Sequence, residues 1–452
     1  MALIIVAILL IAYLMIATAH FTNVNKAAVA IFAGTLCWVL YICYGTDFVM
    51  SQHSNEYFEW LGGAVPTSSA VKGYIARNVF LKYVGNAAEI VLFLLSTMTI
   101  VEILNNNGCF DFIRPLLRTR RSHRLLWVFT LVTFLISANL DNLTTTVMML
   151  TMMHGTIVSR RHRMVFGSAI VIAANCGGAL TVIGDPAGLV VWNMERVSAT
   201  YFSATLLLPC LAACFLPVWW IGRSLPERAD TETITMPYRG DDTNLNTWQR
   251  LLMLFVGIGG LWFIPTFHNI TKLSPFLGAL CVLAVLWIVN EVFNRKLVNT
   301  ELMIQRRMPR VLQYGVIQMM LFIMGLMLAI GAVQETGAVD WFISQSGIYI
   351  KDIWLMGIIA GIVTTVIDNF ACAISFFSLT PSAEMNAPYW LIISYITAVG
   401  GNILCIGSMS GLTLMKMERL HIGWYLKNVG WKVLIGVLAG FAILFFEYKV
   451  II

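Results

Sequence analysis

Apolar stretches recur from one end of the chain to the other, and polar loops separate them. Each stretch is close to the roughly 20 residues that an α-helix needs to cross the hydrocarbon core of a bilayer. Ten of them are predicted to be spans, at 1–19, 27–45, 79–104, 164–195, 201–222, 250–268, 275–294, 311–333, 389–417 and 430–449. Two further apolar stretches, 125–153 and 353–380, carry polar residues in their middles. The pattern predicts an all-α polytopic membrane protein, with a loop or short surface helix at 47–77.

Composition supports this interpretation. The 452 residues are 59% hydrophobic and 12% charged, whereas soluble domains contain about 25% charged residues. The nine cysteines lie mostly in apolar segments and show no metal-ligand spacing, so neither a disulfide framework nor a cysteine-ligated metal centre is predicted. We interpret the net charge of +6 as basic cytoplasmic loops facing a lipid membrane and not as a nucleic-acid surface. Met1–Ala19 lacks the basic start of a signal peptide and is expected to be a retained first helix.

Basic residues decide how the two interrupted stretches lie in the membrane. Arginines stand on both sides of 125–153, at Arg114, Arg118, Arg120, Arg121 and Arg124 and then at Arg160, Arg161 and Arg163. Because Lys and Arg concentrate in cytoplasmic loops, both flanks are predicted to be cytoplasmic and the stretch to be a re-entrant hairpin with its tip at 139–142. The loops around 353–380 are poor in basic residues, so the second hairpin is predicted to enter from outside.

Four blocks of the first half recur in the second half at a nearly constant spacing: 108–113 and 337–342, 141–142 and 368–369, 174–184 and 397–407, and 194–196 and 417–419. Opposite hairpin directions then predict two inverted repeats, a common design of secondary transporters. The first repeat covers 1–222, with its broken helix at 164–195. A cytoplasmic linker at 223–249 leads to the second repeat, 250–452, with its broken helix at 389–417. Each repeat holds five spans and one hairpin.

The polar residues at the hairpin tips are the first candidates for function. Asp141 and Asn142 lie in one tip, with Thr145 nearby, and Asp368 and Asn369 lie in the other. An ionisable residue at membrane depth costs roughly 2.5–3.5 kcal/mol on insertion scales, so it marks a functional site by default. Carboxylate, amide and hydroxyl oxygens are the ligands of hard cations, which predicts a Na⁺ site at the two aspartates. The alternative is that Asp and Asn only cap the helix that returns from each tip.

The broken helices supply further candidates. Glycines and a proline interrupt the first one around Asn175 and Asp185, and Asp185 before Pro186 equally fits an ordinary helix cap. The second broken helix offers an amide and two hydroxyls, at Asn402, Ser408 and Ser410. Glu89 and Glu102 lie in the third span and are candidates for a proton path, although glutamates near helix ends are often simply solvated.

At these residues the chain resembles NhaD-type sodium/proton antiporters of the superfamily that includes dicarboxylate and arsenite carriers. The resemblance is carried by Glu89–Glu102, Ser137–Thr146, Ile172–Asp185 and Gly423–Leu426. It implies electrogenic exchange of Na⁺ or Li⁺ for H⁺ at a bacterial inner membrane, in pH homeostasis, without a cofactor and commonly as a homodimer. It also implies roles for Glu89, Glu102, Asp141, Asn142, Thr145, Asn175, Asp185, Asp368, Asn369, Ser408 and Ser410. Asn86 departs from the family, in which a histidine is expected there.

Three functions are compatible with two aspartates at membrane depth. Cation/proton antiport is favoured, because Na⁺ and H⁺ would compete for the same carboxylates. A Na⁺- or H⁺-coupled carrier of organic anions or oxyanions is the alternative on the same scaffold, although neither hairpin nor the first broken helix contains Lys or Arg, and the second broken helix contains only Lys416, next to its end. An intramembrane aspartyl protease is disfavoured, because the Gly-x-Gly-Asp pattern lacks its first glycine before Asp185. The chain is therefore not expected to be an enzyme.

Overall fold

A computed structural model describes residues 1–22, 24–230, 245–295, 314–346, 352–379 and 383–451. Residues 231–244, which make up most of the predicted linker, lie outside the described residues. Helices of the first half are α1 Ala2–Ala17, α2 Ala19–Thr22, α3 Lys26–Cys43, α4 Gly45–Gln52, α5 Ser54–Leu61, α6 Ser68–Tyr74, α7 Leu81–Asn106, α8 Ser122–Ser137, α9 Asn142–Thr156, α10 Arg160–Leu180, α11 Pro186–Asn193 and α12 Ala199–Gly222.

Helices of the second half follow in a similar order. They are α13 Thr247–Leu254, α14 Gly260–Thr271, α15 Pro275–Asn294, α16 Tyr314–Glu335, α17 Ala338–Ser346, α18 Ile353–Thr364, α19 Asn369–Phe377, α20 Pro388–Gly400, α21 Met409–Glu418, α22 Ile422–Tyr425 and α23 Trp431–Phe446. Within the described ranges, eight helical runs are long and apolar enough to cross a membrane, and further apolar helices are shorter. The prediction of an all-α polytopic membrane protein is confirmed.

The two interrupted stretches both fold as helical hairpins. Helices α8 and α9 contact each other and are joined at residues 138–141, and α18 and α19 are joined in the same way at 365–368. The two broken helices also appear: residues 181–185 separate α10 from α11, and residues 401–408 separate α20 from α21. Because α8 and α18 are only 16 and 12 residues long, each is shorter than the roughly 20 residues of a full crossing.

The third span starts earlier than predicted. Residues Ser68–Asn106 form one continuous helical run, with a π-helical segment at Ile75–Phe80. The sequence predicted a span at 79–104, because polar residues dilute the apolar pattern before residue 79. Val71, Tyr74 and Ile75 are nevertheless buried, and this one-sided burial extends the helix toward its N-terminus.

A polar network attaches the short helices α4–α6 to the end of α16. His53 Nε2 lies 2.6 Å from Glu335 Oε2, and the Tyr83 hydroxyl donates to Glu335 Oε1 at 2.7 Å. The Tyr74 hydroxyl donates to Glu56 Oε2 at 3.1 Å. This hydrogen bond and the neighbouring His53 ring lower the pKa of the exposed Glu56 carboxyl below its ordinary value. The network fixes the connection that leads into α7.

Helices of the two halves pack on each other in exchanged pairs. Helix α3 packs on α16, and α15 packs on α7, while α12 packs on α23. Backbones approach closely at the first contact, where a Cβ on Gly34 would lie 2.6 Å from the Gly325 carbonyl oxygen. Small residues allow such approaches between membrane helices. If the chain is divided into the two proposed repeats, α3 corresponds to α15 and α7 corresponds to α16. A two-fold relation between the repeats then requires that, if α3 packs on α16, α15 packs on α7, and this is the packing observed.

Candidate cation site

Each hairpin tip ends in an aspartate that caps the returning helix. Asp141 Oδ2 accepts hydrogen bonds from the Thr144 amide at 2.9 Å and the Thr144 hydroxyl at 3.1 Å. Asp368 Oδ1 accepts from the Phe370 amide at 3.2 Å. Both residues have a non-helical backbone, as an N-cap does. One oxygen of each carboxylate therefore caps a helix, which is the alternative to a cation site that the sequence allowed.

The second oxygen of each aspartate is not used in capping. Asp141 Oδ1 is buried and has no hydrogen-bond partner among the described residues. Asp368 Oδ2 lies 3.3 Å from the ammonium of Lys26, and the two aspartates are only 3% and 2% exposed. Leaving a buried acceptor unpaired costs about 1–3 kcal/mol. Capping alone does not explain these carboxylates, because an uncharged Ser or Asn caps a helix without this cost.

Asp185 connects the first broken helix to both tips. It caps α11 through its Oδ1, which accepts from the Ala187 amide at 2.8 Å, and Pro186 follows at the first helical position. Its Oδ2 accepts from Asn142 Nδ2 at 2.9 Å and lies 3.4 Å from Asn369 Nδ2. Asp185 thus caps a helix with one oxygen and contacts the asparagines of both tips with the other.

Asn175 links the two broken helices. Its Nδ2 donates to Asn402 Oδ1 at 2.7 Å and to Ser408 Oγ at 3.0 Å, and its Oδ1 lies 3.4 Å from Asn142 Nδ2. Ser408 caps α21 by accepting from the Gly411 amide at 3.1 Å, in the place that Asp185 takes at α11. The structure therefore brings Asn142, Asn175, Asp185, Asn369 and Ser408 into one hydrogen-bonded cluster.

The same local contacts dock each tip onto its broken helix. Ser137 Oγ donates to the Ala174 carbonyl at 2.6 Å, and Thr364 Oγ1 donates to the Thr397 carbonyl at 3.1 Å. A Cβ on Gly184 would lie 2.7 Å from the Ser137 carbonyl oxygen. The matching glycine of the second broken helix meets the Thr364 carbonyl oxygen even more closely. Glycine is required at both breaks because backbone of the hairpin occupies the position of a side chain.

Two predicted hydroxyls remain available for a ligand. Thr145 and Ser410 are 0% and 1% exposed, and the hydroxyl of each has no hydrogen-bond partner among the described residues. Thr145 lies in the first turn of α9, and Ser410 lies in the first turn of α21. Together with Asp141 Oδ1 they are buried oxygens whose hydrogen-bonding capacity the protein leaves unused.

The two predicted glutamates lie elsewhere on α7. Glu89 Oε2 accepts from Asn193 Nδ2 at 2.8 Å and from the Ser274 hydroxyl at 2.9 Å. It lines a cavity of about 320 Å³ together with Asn86. Glu102 accepts from Asn106 on its own helix at 3.1 Å. The structure does not place either glutamate in the cluster around the tips.

Sequence reasoning missed Lys26. This lysine is the first residue of α3, and its ammonium pairs with Asp368 across 342 positions of sequence. It also lines a cavity of about 430 Å³, whose wall includes Leu143 next to Asn142 and Met409 next to Ser408. A lone lysine at the start of an apolar span resembles an interfacial residue, so only its long-range contact reveals it.

The two hairpin tips and the hydrogen-bonded cluster are together rich in negative charge. They contain three buried carboxylates, Asp141, Asp185 and Asp368, and the ammonium of Lys26, which pairs with Asp368. Buried charges are normally paired or coordinate a cation. With all three carboxylates ionised, two negative charges lack a partner of opposite sign within the cluster just described. A cation or protons would neutralise them.

Comparisons with known proteins agree on the class of this chain. The profile of the family described as "CitMHS: Citrate transporter" matches residues 1–400. "Sodium/proton antiporter 1" and "Sodium/proton antiporter 2" of Arabidopsis thaliana are 30% and 29% identical over 365 and 362 residues. Each alignment covers 78% of this chain, but 61% of the first relative and 84% of the second. "Na(+)/H(+) antiporter NhaD" of Vibrio cholerae is 26% identical over 368 residues, covering 75% of this chain and 74% of that protein.

Proposed function

The chain belongs to the CitMHS citrate transporter family, which comprises secondary transporters and not enzymes, and we propose that it exchanges Na⁺ or Li⁺ for H⁺ across a membrane. The resemblance to NhaD-type antiporters is confirmed by the curated relatives. The observation that carries the proposal is the buried cluster of three carboxylates, in which Asp141 Oδ1 has no protein partner among the described residues.

The helix ends around the cluster favour a cation over citrate or another anion. An anion carrier binds its substrate with the free amides at half-helix N-termini. Here these N-termini are capped by side chains of the chain itself, at α9, α11, α19 and α21. Three of the four caps are carboxylates, which would repel an anionic substrate. The organic-anion alternative would need all of these caps to be displaced.

We place the transported cation between the two tips. Asp141 and Asp368 supply charge, and Thr145 and Ser410 supply hydroxyl oxygens that have no other partner among the described residues. Asn142, Asn175, Asp185, Asn369 and Ser408 hold the tips in register through the hydrogen bonds described above. Because Na⁺ and H⁺ neutralise the same carboxylates, binding of one disfavours binding of the other, and this competition couples their movements.

The two cavities suggest how access alternates. The wall of the cavity lined by Lys26 includes Leu143 and Met409, which follow Asn142 and Ser408 in the chain, and from the distribution of basic residues we infer that this cavity opens toward the cytoplasm. The cavity lined by Glu89 ends on Ile374 and Phe377 of α19. We interpret the structure as a state in which the cation site is accessible from the cytoplasm. Glu89 would then lie on the proton path from the opposite side of the membrane, and Glu102 would lie near the cytoplasmic end of that path. Movement of the hairpins and broken helices against the other helices would open the second cavity to the site.

The apolar helices and the relatives bear on where the protein is located. The protein is a multi-pass membrane protein, and its relatives include plant as well as bacterial antiporters. We retain the bacterial inner membrane as the proposed location, with lipid around the helices and a homodimer as the proposed assembly. Na⁺, Li⁺ and H⁺ are transported ions and not cofactors.

Reconstituted liposomes that carry a pH gradient test the proposed exchange. Added Na⁺ or Li⁺ should collapse the gradient, as reported by an entrapped pH-sensitive dye, whereas K⁺ and citrate should not. Protein-free liposomes control for leakage. Citrate-dependent Na⁺ uptake without any effect of Na⁺ on the pH gradient would instead support the anion carrier.

A further inference from the structure

The Lys26 side chain lies at the boundary between the inner cavity and the cation site. Its ammonium lies 3.3 Å from Asp368 Oδ2, and Lys26 is also one of the residues that line the cavity. The lysine side chain is 14% exposed and the aspartate side chain 1% exposed. An ammonium in this place can therefore move between water in the cavity and the carboxylate in the site.

The position of Lys26 on its own helix is unfavourable for a positive charge. It is the first residue of α3, after the cap Asn25, whose Oδ1 accepts from the Ala27 amide. The N-terminus of a helix carries a partial positive charge and favours anions. Helix stability thus gives no reason for a lysine here, and the contact with Asp368 is the interaction that favours it.

We propose that Lys26 is a tethered competitor of the transported cation, which occupies Asp368 when Na⁺ is absent and is displaced into the inner cavity when Na⁺ binds. The inference rests on the proposed function, because it concerns the same site. It assigns to Lys26 a role in setting the apparent affinity for Na⁺. It also means that the ammonium neutralises the carboxylate of Asp368 when no Na⁺ is bound.

Removing the competitor should strengthen Na⁺ binding. If the ammonium occupies the site nine-tenths of the time, its loss lowers the half-saturating Na⁺ concentration about tenfold. We expect this shift in Lys26→Met, measured as Na⁺-dependent collapse of the pH gradient and as Na⁺-dependent thermal stabilisation of the purified protein. Lys26→Arg keeps the charge and should stay within about threefold of the wild type.

Lys416 provides the matched control. It is exposed and lines the same cavity from α21, so Lys416→Met removes the same charge from the same wall. If the charge of the cavity only attracted or repelled Na⁺ in general, the half-saturating Na⁺ concentration would shift equally in Lys26→Met and Lys416→Met. The proposal requires a shift of less than about twofold in Lys416→Met, since screened cavity charges act weakly.

A second measurement uses the unaltered protein and so does not depend on any variant folding. Reaction of each lysine with a water-soluble acetylating reagent is followed by mass spectrometry, with Na⁺ or with choline at equal ionic strength. Na⁺ should increase the labelling rate of Lys26 about threefold or more as the ammonium leaves Asp368, because a displaced competitor becomes accessible. Labelling of Lys416 should not change.

The outcomes separate this inference from the proposed function. Wild-type protein that neither binds nor exchanges Na⁺ contradicts the proposed function. Wild-type exchange combined with unchanged Lys26 labelling contradicts the displacement, as does a half-saturating Na⁺ concentration that rises or stays constant in Lys26→Met.

Discussion

Replacement of Asn175 by Ala is the sharpest test of how the two broken helices are held together. The amide donates two hydrogen bonds, of 2.7 Å to Asn402 and 3.0 Å to Ser408. At about 1 kcal/mol each, with about 1 kcal/mol more for the Asn402 oxygen left unpaired, the loss amounts to about 3 kcal/mol. Hydrogen bonds inside membrane proteins average about 0.6 kcal/mol each, which sets a lower limit near 1 kcal/mol. We therefore expect destabilisation between these two values.

The assay is equilibrium unfolding in mixed micelles, with the unfolding free energy compared between Asn175→Ala and Ser168→Ala. Ser168 is equally buried on the same helix, but its hydroxyl donates only to the Met164 carbonyl of α10, at 2.7 Å. Its removal should cost less than about 0.5 kcal/mol, because it makes a local hydrogen bond that competes with the helix. Equal costs for the two variants would refute the linking role of Asn175.

Three further changes follow from particular contacts. Gly407→Ala should lower the unfolding free energy by about 3 kcal/mol and abolish exchange, because the added Cβ would meet a backbone carbonyl of the second hairpin. Gly85→Ala is the control: a Cβ there faces open space, so the unfolding free energy should stay the same or rise. Glu418→Gln should lower the unfolding free energy by about 3 kcal/mol, because Arg163 loses the partner 2.9 Å away; unchanged thermal stability would contradict this. Glu89→Gln should slow proton-limited exchange in liposomes while the half-saturating Na⁺ concentration changes less than about twofold, since Glu89 lies outside the cluster.

The hairpin tips and broken helices were predictable because each violates the apolar pattern of its surroundings. Asp141, Asp185 and Asp368 interrupt apolar stretches, and glycines mark where backbones meet. The cost of a charge in hydrocarbon makes such positions stand out without any knowledge of the fold. The early start of the third span was missed because its first turns bury only one face.

Contacts between distant parts of the chain could not be read from local pattern. Lys26 stands at the start of an apolar span, a position typical of an interfacial residue, and nothing near it in the sequence indicates its contact with Asp368. The sequence made Glu102 a candidate for a proton path but did not show that Asn106 of the same helix donates a hydrogen bond to it. Periodicity identifies which residues are polar within a span, whereas the partner of each depends on which helices become neighbours.

The central claim is that both tip aspartates bind the transported cation, and Na⁺-driven proton movement in liposomes tests it most directly. Asp141→Asn and Asp368→Asn should each reduce this flux to the level of protein-free liposomes. Asp352→Asn is the matched control, because Asp352 is an exposed aspartate that caps α18 of the second hairpin. It should keep wild-type flux. Wild-type flux in Asp141→Asn or Asp368→Asn would contradict the account.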